Sequence, residues 1–229
     1  MKRHVALLAG SSLLALPLLL AAPAQASHWD LDTVAANMMS AADAATEGVA
    51  GNHTKEFLNL SGSKESPMTI WLCDLEGSTE IEVDGPMNVY VMTYVSEKGK
   101  VETLAQQELF EFDSEDQARK AMRQIRASAE KCKGTFDVKH DSGWTSRQRV
   151  SHGQGEDASG NGFVWIKHIT TVAESGSKIS EHEYSTFRRV GTFIQTVEVD
   201  VEGVNAPVLT SSQIKAVNAL TGSLGDVWS

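Results

Sequence analysis

Residues 110–138 read FEFDSEDQARKAMRQIRASAEKCKGTFDV, and the order of local signals in this stretch decides the fold. FEF reads as the end of a strand. Ser114 follows as a helix cap. Gln117 stands three residues later, where its side chain can reach back to the cap N–H. Glu115 and Asp116 place negative charge in the first turn, where the helix dipole favours it. Ala118, Ala121, Met122, Ile125, Ala129 and Cys132 recur at helical spacing and trace one buried face. Arg119, Lys120, Arg123 and Lys131 fall on other sides and read as a solvated face. Gly134 stops the helix, and TFDV opens the next strand.

Upstream, residues 88–95 (NVYVMTYV) are apolar on both alternating faces, as an interior strand covered on both sides would be. Residues 97–100 turn the chain, and 101–113 form the next strand. Downstream, 135–140 and 144–150 read as strands. Residues 151–162 (SHGQGEDASGNG) read as a flexible loop by composition. Residues 162–173 and 178–189 are β-rich. In 193–201, Phe193, Gln195, Val197, Val199 and Val201 face one way, while Thr196, Glu198 and Asp200 face the other. A final helix follows Pro207, capped at Ser211/Ser212, with Ile214, Val217, Leu220 and Leu224 inward. Consecutive strands with short turns and segregated helices predict a single α+β domain, an antiparallel β-sheet with flanking helices. Its expected extent is residues 66–229, preceded by a weakly helical or mobile segment at 27–65.

The first 26 residues read as a signal peptide: MKRH, an apolar run, then Ala24-Gln25-Ala26, with cleavage expected after Ala26. Cleavage removes Lys2 and Arg3 and no acid, taking the formal charge from −10 to −12. That balance disfavours nucleic acid and anionic lipid as partners. No later segment is long and apolar enough to predict a membrane span. Two cysteines in an exported chain, Cys73 and Cys132, read as one disulfide. The ring closes about 60 residues, worth roughly 4 kcal/mol on the chain-entropy model.

No catalytic motif emerges, and the expectation is of a protein that is not an enzyme. Gly153-x-Gly155-x-x-Ala158 formally resembles a dinucleotide fingerprint but opens no helix, and Glu156 and Asp157 would repel a pyrophosphate. No serine stands in a G-x-S-x-G elbow. Glu181-His182-Glu183 puts two acids on one strand face and the histidine on the other, a poor metal geometry. No cofactor or metal is expected. Arg147 and Arg149 share a strand face with Trp144 nearby, and such a pair can hold an anionic ligand or simply pair with surface carboxylates. With His168 on a later strand, Trp144, Arg147 and Arg149 are the candidate ligand-binding residues.

From residue 104 to 138 the chain shows a strand ending in aromatics, a helix opening S-x-x-x-A-R, then Cys132 and Gly134. This resembles the extracellular sensor domain of actinobacterial receptor Ser/Thr kinases, which also occurs as free secreted proteins and lipoproteins. The family's W-x-x-C-x-G ending appears here as Ala129-Glu130-Lys131-Cys132-Lys133-Gly134, with alanine in place of tryptophan. Cys73 stands where the family's partner cysteine is expected. The resemblance implies a secreted, sensor-like domain that binds an unidentified extracellular small molecule or protein, with no catalytic residues to carry over. A protein-interaction or inhibitor module acting on an extracellular partner is the alternative, and an unrecognised hydrolase a third.

Overall fold

The computed structural model describes residues 29–61, 68–72, 80–83, 86–139, 145–156, 162–174 and 177–228. The elements are α1 (Leu31–Asn37), α2 (Ala41–Thr46), β1 (His53–Ser61), β2 (Met68–Trp71), β3 (Glu80–Val83), β4 (Pro86–Lys98) and β5 (Val101–Phe112). Then come α3 (Glu115–Cys132), β6 (Gly134–Lys139), β7 (Thr145–Glu156), β8 (Gly162–Glu174), β9 (Ser177–Val190), β10 (Phe193–Val204) and α4 (Ser211–Asp226). One eight-stranded antiparallel sheet, ordered β1-β4-β5-β10-β9-β8-β7-β6, carries the domain, and β2 and β3 form a separate pair. The expected α+β class is the observed one.

Strand alternation divides the sheet into two covered faces. On one, α4 packs over β9 and β10 while α1 and α2 cover β4 and β5, around Tyr90, Met92, Leu109, Val197, Val199 and Val217. On the other, α3 covers Val89, Val91, Phe110, Phe187, Val164 and Ile194. Residues 88–95 thus feed both cores, which is why they are apolar on both faces. All six residues expected on the inner stripe of α3 are buried there.

Buried polar bonds lock the helices in place. Arg188 on β9 reaches the last turn of α4, donating to Thr221 O (3.1 Å), Gly222 O (2.7 Å) and the Asp226 carboxylate (2.8 Å). A cation there satisfies end carbonyls and opposes the negative pole of the helix. The Tyr184 hydroxyl donates to Asn218 Oδ1 at 2.8 Å. Between α1 and α2, Met39 N donates to Gln107 Oε1 (2.6 Å) and Met39 O accepts from the Tyr94 hydroxyl (3.1 Å).

Several local expectations change. Within the segment expected to be weakly helical or mobile, α1 and α2 are the helices; Val34, Met38, Met39 and Ala44 enter the core, and β1, unexpected there, pairs with β4 along nine residues. Residues 151–156 are strand rather than flexible loop, because β7 continues against β8 as far as Glu156. The cap of α4 is Thr210, which forms a reciprocal pair with Gln213, not Ser211 or Ser212. Ser114 caps α3 by accepting from Gln117 N (3.4 Å), but Gln117 does not return the bond, since its Oε1 is buried without a partner. Cys132 is fully buried in the last turn of α3, whereas Cys73 lies outside the described residues.

Candidate ligand-binding face

α4 packs over β9 and β10, the strands β6 to β8 continue the sheet beside them, and alternation along β6 to β9 sorts charge by face. In β7, Ser146, Gln148 and Val150 are buried while Arg147 and Arg149 are exposed. Residues directly opposite across antiparallel strands share a face. Arg147 stands opposite Thr171 on β8 and Asp137 on β6, and Arg149 opposite Ile169 and Thr135. On the same face, Lys167 stands opposite Ser151 and Tyr184, Lys178 opposite Ala173, and His182 opposite Ile169. Lys139 follows Asp137 by alternation on β6. Thr171 and Ile169 are therefore ringed by Arg147, Arg149, Lys167, Lys178 and His182. Strands lie about 4.8 Å apart and like-facing neighbours on one strand about 6.8 Å apart, so the ring spans roughly 10–15 Å.

Asp137 is the only carboxylate that alternation places on this face between β6 and β9, among the described residues. Neither Arg147 nor Arg149 has an acidic partner within ion-pair distance among them. Among the described residues, pairing with surface carboxylates is thus not seen for either arginine, although Asp137 stands opposite Arg147.

His182 reports the field of these cations. Its side chain is 6% exposed, and its Nδ1 has no hydrogen-bond partner. Burial, and then the positive charges of Lys178, Lys167 and Arg149, hold its imidazole below the usual histidine range, against a hydrogen bond to the backbone of Ala206. Burial first, and the cations around it second, thus both disfavour the charged imidazole.

His168 lies on the opposite face. It is 2% exposed, with Nε2 3.0 Å from Gln148 Oε1 and Nδ1 3.6 Å from Glu183 Oε2. Around it the register places Glu108, Glu181, Glu183, Glu198, Asp200 and Glu202 on that same face. Burial, with the Glu183 charge, pushes Glu108 up to about 7, against a hydrogen bond from Thr196. The structure therefore unites Arg147 with Arg149, separates His168 from both, and adds Lys139, Lys167, Lys178 and His182. Trp144 lies outside the described residues. The added residues sit on separate strands, and only the register shows that they meet.

Arg147, Arg149 and Lys178 are exposed on this face, where guanidinium and ammonium donors can hold negative charge. Among the described residues no group of three His, Cys, Asp or Glu side chains stands close enough to hold a metal ion.

Comparison with known proteins places the fold. No family model matches the chain, and no curated protein matches it. Among solved structures, the extracellular domain of PknH from Mycobacterium tuberculosis is similar, with a TM-score of 0.54 and 13% identity. The alignment covers 84% of this chain and 94% of that one. The likeness is one of architecture, to an extracellular domain. No described helix is long and apolar enough to cross a membrane.

Proposed function

We propose that this chain is a secreted, non-enzymatic, sensor-like ligand-binding domain, exported by a signal peptide cleaved after Ala26, and that its ligand is an extended anionic polymer. The observation that carries the reading is the ring of Arg147, Arg149, Lys167 and Lys178 on one sheet face of a chain with net charge −10. A local field of one sign attracts opposite charge whatever the net charge of the whole. Cations spread over β7, β8 and β9 fit a polymer strand carrying several negative charges better than one compact anion. The fold likeness to an extracellular domain supports the setting. The same spread of cations equally supports the second reading, a module that docks an acidic extracellular protein.

Titration calorimetry with heparin as the probe polyanion tests this reading. The wild type binds, binding weakens steeply with salt, and Arg147→Gln/Arg149→Gln loses at least tenfold in affinity. Unchanged affinity in that variant removes the face from the account. The mature N-terminus, read by sequencing the exported protein, is expected at Ser27.

A further inference from the structure

On the opposite side of the sheet, α3 and the adjoining ends of β8 and β9 enclose a groove of about 460 Å³ lined by Arg119, Met122, Arg123, Arg126, Gly162 and Arg189. Arg119, Arg123 and Arg126 stand at i, i+4 and i+7, so they form one stripe along the helix. Arg189 faces them from β9.

Two of the four arginines already show what the groove accepts. Arg119 donates to Glu115 at 2.8 Å and to Asp116 at 3.0 Å. Arg189 lies 3.6 Å from the same Glu115 carboxylate while donating to Gly191 O at 2.9 Å. One intramolecular carboxylate is thus bracketed by two guanidinium groups. Arg123 and Arg126 have no acidic partner among the described residues. Among the described residues, four guanidinium charges against Glu115 and Asp116 leave Arg123 and Arg126 without an ion-pair partner around a concave space. Met122 supplies an apolar wall, and Gly162 brings no side chain, so a ligand can approach that strand end closely.

The geometry points to a second binding site in this groove, for a small dianionic oxyanion of the phosphate-ester class, held by Arg123 and Arg126 with Arg189 behind them. Guanidinium forks match such oxygens in pairs, and a dianion balances the two uncompensated charges where a monocarboxylate balances only one. This site does not depend on the Arg147–Arg149 face, and its ligand is compact where that face takes a polymer.

The test is titration calorimetry of the full mature chain with inorganic phosphate, pyrophosphate and citrate against sodium chloride at matched ionic strength. Phosphate and pyrophosphate bind, and Arg123→Gln/Arg126→Gln loses at least tenfold in affinity. Arg147→Gln/Arg149→Gln keeps it. Both arginines of the groove variant lie outside the buried stripe of α3, and an unchanged melting temperature without ligand shows that the variant is folded. No binding above the chloride control, equal affinity in the groove variant, or binding of citrate alone overturns the assignment.

Discussion

Trp165 on β8 lies across the bare backbone of Gly153 on β7: a methyl group on Gly153 would stand 2.6 Å from Trp165 Cζ2 and 2.7 Å from Cε2. Two residues on, Gly155 bears the same relation to Phe163, whose Cζ would be 2.5 Å away. The pairs are cross-strand partners in register. Glycine is required here for close approach, so that the rings can fold down over the strand. Trp165 then stacks on Tyr184, with ring centroids 6.1 Å apart.

Gly153→Val is therefore expected to destabilise the protein, although valine is the better strand former. The ring must lift off the strand, at a cost of about 1–3 kcal/mol. Chemical denaturation measures the loss, and tryptophan fluorescence shifts as Trp165 becomes wetter. Equal or greater stability would mean that the ring does not depend on the glycine.

Gly225 in α4 presents a similar conflict. A methyl group there meets the Arg188 guanidinium, which is pinned by Thr221 O, Gly222 O and Asp226. Helix propensity alone favours Gly→Ala by about 1 kcal/mol. Displacing a buried, hydrogen-bonded guanidinium costs more, since each such bond is worth about 1.5–3 kcal/mol. Gly225→Ala should lower the melting temperature. A rise would show that Arg188 moves aside freely.

Two carboxyl groups make stability depend on pH. Burial, with the nearby Asp43 charge, pushes Glu47 up to about 9 from an ordinary 4.5, and both its oxygens are buried without a partner. Glu108 is pushed up to about 7. The folded state keeps protons that the unfolded chain releases above about 4.5. Stability from these protons is complete below that value and falls as pH rises, through 7 for Glu108 and on toward 9 for Glu47. Denaturation midpoints should therefore drop between pH 5 and 8.5. Glu47→Gln should flatten the fall and stabilise at pH 8 by on the order of 1–3 kcal/mol. A midpoint that rises over this range contradicts the assignment.

The proposed Cys73–Cys132 disulfide would tie the end of α3 to the segment after β2. Intact-mass analysis of exported protein should show the mass two hydrogens below the dithiol, and reduction should cost about 3–4 kcal/mol of stability. Two alkylatable thiols in the native protein would dismiss it.

The stretch at 110–138 shows where sequence carried the fold and where it did not. Its helix face was legible because Ala118, Ala121, Met122, Ile125, Ala129 and Cys132 obey a local period, and periodicity needs no tertiary knowledge. The β7 extension was not legible: SHGQGE has loop composition, and only the facing Trp165 and Phe163 make its glycines strand residues. The Arg147–Arg149 pair was visible by alternation, yet net charge hid the cationic face around it. Lys167, Lys178 and His182 come from other strands, so register rather than composition brings them together. His168 failed to join them for the same reason, since one step of alternation puts it among the acids opposite. The arginines of α3 read as solvent-facing, and the groove they line exists only because Arg189 faces them from β9.

The most direct test of the cationic face is the imidazole of His182, followed by NMR through a pH titration with and without heparin. Alone, His182 should titrate below the ordinary histidine range, held there by burial and by Lys178, Lys167 and Arg149. A polyanion seated on Arg147, Arg149, Lys167 and Lys178 screens those charges, and the His182 pKa should rise when heparin binds. An unchanged His182 titration while heparin is bound would place the ligand elsewhere and contradict the proposed site.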